Sequence, residues 1–433
     1  MYLRRATNLY LLSPLYSWRY YRMDDTSKPA AQRQLWTLML AASAILLITM
    51  GARQTSGLFL IPITQSTGVS IVAMSFALAV GQFVFGAAQP IFGAIADKYG
   101  AVKVVITGAI MLALGCILTP LATSSTGLLL TMGVLSAAGA AAGSFSILIG
   151  IAAQRLPPER RSFAAGLINA GGSVGQSVFA PLVQLIIGAA GWASAMFATA
   201  FAALLTIPLV LPLRRSQAPG AAASLAPVPH LTLGEQLRVA LRDPSYLCLH
   251  AGFFTCGFHI AFLVTHLPND LRLCGLGPEV AASSLMLIGL FNVAGSLSAG
   301  WLGQRYRMKY LLALIYASRA AIVGIYVVMP KTALNVYLFA GALGFTWLAT
   351  VPPTSGLVSK LFGTRYLATL FGLTLLSHQI GGFLGAWLGG IALAQTGNYE
   401  WIWHADIALA LAAAAANLPI REARLTAAQP APA

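Results

Sequence analysis

Apolar stretches of about 20 residues recur along the whole of this chain, each long enough to cross roughly 30 Å of hydrocarbon. The expected spans are 36–62, 72–95, 103–122, 126–153, 163–187 and 191–213, then 246–267, 279–302, 310–329, 333–358, 367–394 and 400–420. Between them the chain has little room for anything else, and no intervening region is long enough for a soluble catalytic domain. Of the 433 residues 58% are hydrophobic and 9% charged, too little charge to cover the surface of a soluble protein of this size. The reading is an all-α membrane protein with 12 transmembrane helices. Prolines inside the spans (Pro90, Pro181, Pro208, Pro352, Pro353) suit membrane helices, where neighbouring groups satisfy the freed backbone.

The net charge of +15 does not point to nucleic acid, because the cations sit in short segments between apolar runs. Arg4, Arg5, Arg19, Arg22, Lys28 and Arg33 precede the first span, and Lys98 and Lys103 follow the second. Arg155, Arg160 and Arg161 follow the fourth, Arg305, Arg307 and Lys309 the eighth, and Lys360 and Arg365 the tenth. The opposite loops carry Arg272 and Lys331 as their cations. Cytoplasmic loops carry the excess of Lys and Arg, so both termini are expected in the cytoplasm of a bacterial inner (plasma) membrane. The first 33 residues do not read as a cleaved signal, and Met23 is an alternative start. Four cysteines (Cys116, Cys248, Cys256, Cys274) lack metal-ligand spacing.

The expected organisation is an N-terminal cytoplasmic segment 1–35, a six-helix bundle 36–213, a cytoplasmic linker 214–245, a second bundle 246–420 and a tail 421–433. The linker is polar and Ala/Pro-rich, and its part from Leu231 to Leu241 reads as a short interfacial amphipathic helix or as plain connector.

The two bundles echo one another. Gly93 to Gly100, with Asp97 and Lys98, lies between spans two and three, and Gly300 to Arg307, with Arg305, lies between spans eight and nine about 207 positions later. Gly166-Leu167 and Gly175 recur at nearly the same offset as Gly372-Leu373 and Gly381. Duplicated halves of this kind place a substrate near mid-membrane between them.

The GxxxD(R/K)xG loop, its degraded second copy, the basic linker and the six-plus-six layout resemble the major facilitator superfamily over residues 34–424. That resemblance implies a secondary transporter that works as a monomer without a cofactor. It also implies a conformational latch made by Gly93, Asp97, Lys98, Gly100 and Arg305, in which Asp97 and Lys98 stabilise the outward-open state.

Within that superfamily, the segment from Met50 to Leu60, with Arg53, Gly57 and Phe59, resembles the monocarboxylate porter branch, which includes lactate/pyruvate carriers and the oxalate–formate exchanger. Members of the branch carry a basic residue at the Arg53 position. A cation within an apolar span normally faces a cavity or a partner, and guanidinium matches carboxylate bidentately, although Arg53 sits far enough along its span to snorkel outward. Eukaryotic members have an Asp and an Arg four residues apart in span eight, and Asn292 and Ser296 fall there in this chain.

A second intramembrane cation, Arg319, either adds to the cavity's charge or pairs structurally. No deep Asp or Glu is expected, with Asp406 placed close to the outer interface. Gln82, Asn169, His259, Asn292, His378 and Gln379 complete the candidate substrate-contacting set. A cavity with positive and no negative charge favours a small organic anion.

A co-transported proton would have His259 or His378 as its carrier, while exchange and uniport stay open. The main rival is a drug or metabolite exporter of the same fold. Span four lacks that group's basic residue, and Gly171-Gly172-Ser173-Val174-Gly175 lacks its Gly-Pro pair. A transport-like sensor would need a larger cytoplasmic segment, and no nucleotide loop or zinc cluster supports an enzyme.

Overall fold

The computed structural model describes residues 27–214 and 231–422. The start of the chain, most of the expected linker and nearly all of the expected tail lie outside the described residues. The described residues form helices and no strands. Four spans open the first half: α1 (Gln32–Thr67), α2 (Ala73–Tyr99), α3 (Ala101–Leu121) and α4 (Ser125–Arg155). The next apolar stretch, Pro158–Arg214, has 57 residues, far too many for one crossing. It breaks at Gly191, whose φ of 84° and ψ of 164° no side-chain-bearing residue adopts comfortably. The parts before and after Gly191 are α5 and α6.

The second half holds α7 (Pro244–Leu273), α8 (Glu279–Arg305), α9 (Met308–Val328), α10 (Ala333–Phe362) and α11 (Leu367–Thr396). α12 (Glu400–Asn417) is the twelfth, and Glu400, His404 and Asp406 dilute its apolar character. Before α7, Leu233–Ala240 forms the short helix whose amphipathic pattern the linker shows. A capping box starts it: Thr232 Oγ1 accepts from the Glu235 amide, and Glu235 accepts from the Thr232 amide at 2.7 Å. These bonds hold the Glu235 carboxyl below the usual carboxylate range.

The sequence echoes become a spatial symmetry. A Cβ on Gly175 of α5 would lie 2.0 Å from the Leu47 carbonyl of α1, and one on Gly381 of α11 would lie 2.0 Å from the Phe254 carbonyl of α7. Between the halves, Gly93 of α2 meets the Ala368 carbonyl of α11 at 2.6 Å on the same test, and Gly300 of α8 meets the Ser162 carbonyl of α5 at 2.8 Å. Each contact in one half has its counterpart in the other. The halves therefore meet through two reciprocal seams, α2 against α11 and α5 against α8. Small residues let these backbones approach where lipid supplies no hydrophobic drive.

Both seams run from the end bearing the basic loops toward the middle. A continuous buried core follows them, from Leu46 and Ile147 in the first half to Leu357 and Phe371 in the second. A separate cluster around Phe262, Tyr326 and Trp403 fills the second half toward the opposite end.

Several spans are discontinuous among the described residues, α6 at Leu205 and Val210 included. α1 turns at Thr55, α4 breaks at Gly143 and Ser144, and α10 breaks between Thr346 and Val351. α4 also contains a π-helical segment, Leu129–Ser136, an irregularity that often marks functional sites. The α4 and α10 breaks occupy corresponding places in the two halves.

Candidate functional site

Arg53 ends the first part of α1, just before its turn. Its guanidinium donates to the Gln82 side-chain oxygen of α2 and lies 3.8 Å from the centre of the Phe85 ring, one turn along the same helix. Gln82 in turn donates to the side-chain oxygen of Gln379 on α11 at 3.2 Å. Arg53, Gln82 and Gln379 thus form one chain of polar contacts that crosses from the first half to the second. It sits where the α2–α11 seam ends, because a Cβ on Gly86 would already meet Gln379 at 2.7 Å.

A small cavity of about 70 Å³ lies beside Arg53. Its polar lining includes Ser56, Gln82, Ser136 and Thr199, with Met132 and Met196 among its apolar walls, and all its lining residues belong to the first half. The π-helical turn of α4 supplies Met132 and Ser136 to this wall. No carboxylate lines the pocket, and among the described residues none lies within ion-pair distance of Arg53. An arginine held by an amide oxygen and an aromatic face keeps most of its donors for an anion.

Arg319 stands elsewhere. It is 1% exposed, inside the second half, and donates to the Thr346 and Trp347 carbonyls that the α10 break leaves free. A cation at these carbonyls complements the negative end of the first part of α10. Asn169 and Asn292 are buried in the α5–α8 seam. Asn169 donates to Ser296 Oγ at 2.6 Å and to the Leu348 carbonyl at 3.1 Å. Asn292 donates to Ser173 Oγ at 2.7 Å and accepts from the Leu348 amide at 3.0 Å. The α8 positions where the resemblance implies an ion pair thus hold a neutral network that ties the halves to the α10 break. His378, next to Gln379, packs against the Phe253 ring at 5.7 Å, and both its ring nitrogens lack a partner.

The placement of Asp406 at the outer interface, and with it the absence of a deep carboxylate, is corrected by the structure. Asp406 lies six residues into α12, is 0% exposed and sits 2.6 Å from His259 Nδ1. His259, 1% exposed, faces α12 and the Trp347 ring, 6.1 Å away. The sequence carries one hint of this pairing: an acidic residue inside an apolar run requires a partner, but the partner lies 147 positions away.

Of the residues expected to form a latch, Asp97 reaches across the α2–α11 seam and accepts from the Thr369 amide at 2.8 Å and its hydroxyl at 2.6 Å. It therefore caps the first turn of α11, where a negative charge is favoured. Gly93 permits the approach, and Gly100, with φ 100°, turns the chain into α3. Lys98 lies over the Tyr99 ring at 5.0 Å and Arg305 over Trp301 at 4.1 Å. Two contributors carry no motif signal: Thr369 itself, and Glu422, which accepts from the Met308 and Lys309 amides at the start of α9 and pairs with Lys360.

The comparisons with known proteins agree with this architecture. The Major Facilitator Superfamily profile matches residues 42–386. The chain is 28% identical over 369 residues to monocarboxylate transporter 13 of Rattus norvegicus, covering 84% of this chain and 83% of that one. It is 25% identical over 376 residues to the oxalate:formate antiporter of Oxalobacter formigenes, covering 84% and 86%. Among solved structures it resembles a proton:xylose symporter (TM-score 0.68, 12% identity, 89% and 95% covered). It also resembles the E. coli fucose:proton symporter (TM-score 0.66, 17% identity, 87% and 98% covered). With that profile spanning most of the chain, and with the described residues forming two related halves of membrane-length helices, the chain belongs to the Major Facilitator Superfamily of membrane transporters.

Proposed function

We propose that this transporter moves a small organic anion, a monocarboxylate in the first instance, with Arg53 as the group that binds its carboxylate. The observation that carries this reading is the guanidinium at the top of the α2–α11 seam, held by Gln82 and Phe85 with no carboxylate among the described residues to neutralise it. An anion there gains a charge-assisted bidentate contact that a neutral or cationic solute does not. Gln82 and Gln379 lie on opposite halves, so a solute that displaces their mutual bond contacts both halves at once.

In this reading the basic end faces the cytoplasm of the plasma membrane. The seams are then closed on the cytoplasmic side, and the Asp97 cap on α11 holds them closed. Rocking of one half against the other alternates access to the site. The monocarboxylate and oxalate:formate relatives support the substrate class.

Uptake of radiolabelled lactate, pyruvate, formate and oxalate into proteoliposomes tests it, using wild type, Arg53→Ala and Arg53→Lys. Saturable uptake by wild type, abolished in Arg53→Ala and weakened in Arg53→Lys, is the expected result. Transport of neutral or cationic compounds with no carboxylate uptake would reject the anion assignment.

A further inference from the structure

We infer that His259 and Asp406 form a proton-binding site in the second half, and that its occupancy is coupled to the break in α10. The two side chains are 2.6 Å apart and almost wholly buried. His259 Nε2 and Asp406 Oδ1 have no hydrogen-bond partner, so the pair is closed on itself. Among the described residues no lysine or arginine lies within ion-pair distance of Asp406.

That isolation defines the chemistry. With one proton shared between imidazole and carboxylate, the pair is neutral overall. When the proton leaves through the imidazole to water, a buried carboxylate remains without a cation, which is strongly unfavourable in a dry interior. Release therefore requires a conformation in which water reaches the pair.

Other ionisable groups surround the pair, and among the described residues none of them bonds to His259 or Asp406. On α9, Arg319 donates to the α10 carbonyls through Nη2, with Nε and Nη1 buried and unpartnered, and Tyr316 donates to the Gly252 carbonyl at 2.7 Å. On α7, Cys256 lies one turn from His259, its sulfur 3.4 Å from Thr350 Oγ1. Farther along α7, His266 and Asp270 bond to Tyr399 and Tyr326. The ionisable side chain of α11 is His378, against Phe253. On α12 itself, His404 bonds to the Glu400 carbonyl. Within α8, ionisable residues occur only toward the ends, at Glu279 and Arg305, and the α10 break has none between Trp347 and Thr350.

The link to the rest of the molecule is short. The Trp347 ring packs edge-on to His259, and its carbonyl is held by Arg319. The next residue, Leu348, is bonded through its amide to Asn292 of α8 and through its carbonyl to Asn169 of α5. A change of charge at the pair thus acts on the segment that joins both halves. This coupling rests on the anion-transport reading, in which one proton accompanies one monoanion and the step is electroneutral. The proton site itself does not depend on that reading.

Side-chain 15N spectra of histidine-labelled wild type, with His259 assigned from His259→Asn, read the site without any substrate. The expected result is a His259 ring whose protonation state changes with pH. In Asp406→Asn that pH response is expected to differ from wild type, because the carboxylate partner is gone. A His259 ring that keeps one protonation state at every pH tested, or whose pH response is unaffected by Asp406→Asn, would overturn the inference.

In proteoliposomes, His259→Asn and Asp406→Asn are expected to retain carboxylate exchange at equilibrium and to lose accumulation driven by a proton gradient. Undiminished gradient-driven accumulation in both variants would also overturn it. If wild type moves no carboxylate, the anion reading fails, and the titration still decides the proton site.

Discussion

Arg53 and Arg319 are both arginines within apolar helices, yet their partners give them different chemistry. Arg53 is half-buried against an amide oxygen and an aromatic ring, whereas Arg319 is closed over two main-chain carbonyls. Replacing Arg319 with leucine leaves those carbonyls buried and unpaired, at about 1–3 kcal/mol each. The Arg319→Leu protein is expected to unfold several degrees lower in a detergent melt, while Arg53→Ala melts near wild type and loses carboxylate uptake. A melt unchanged by Arg319→Leu would contradict the structural role. Both arginines stand out in the sequence because charge is rare there. Which one is free for a ligand depends on what faces it across helix contacts, and that is not a local property of either segment.

At the scale of the helix, the paired glycines decide how closely spans pack. Gly175→Ala and Gly381→Ala would each place a methyl 2.0 Å from a neighbouring carbonyl, so the helices must separate. Overpacking of this kind costs about 1–3 kcal/mol. The two variants are expected to lower the melting midpoint by similar amounts, since the contacts are symmetry equivalents. A Gly188→Ala control, where a Cβ meets nothing within 4 Å, should leave it unchanged. The glycine echo is visible along the chain, and so are most span limits. The helix breaks are less so: Pro352 and Pro353 mark the restart of α10, while the π-helical turn of α4 carries no comparable punctuation. It packs closely on α2, where a Cβ on Gly133 would lie 2.7 Å from the Ala77 carbonyl.

For the whole molecule, the relevant equilibrium is between states open at one end or the other. The Asp97 cap on α11 exists only while the α2–α11 seam is closed. Removing a helix cap costs about 1 kcal/mol, enough to shift a two-state ratio about fivefold. Spin labels at Tyr99→Cys and Arg365→Cys should report this. In Asp97→Ala the population with the longer distance is expected to grow, and an unchanged distribution would remove Asp97 from the latch.

The apolar runs by themselves determined a helical membrane protein, because hydrocarbon demands internally satisfied backbone over a fixed thickness. Duplicated glycines determined the two related halves, since the same close approach is needed twice. Only the tertiary structure decided which polar groups meet: Gln82 with Gln379, Asn169 with the Leu348 carbonyl, and His259 with Asp406. Those pairs join residues 147 to 297 positions apart. Their contacts depend on the relative rotation and depth of packed helices, which no single span encodes.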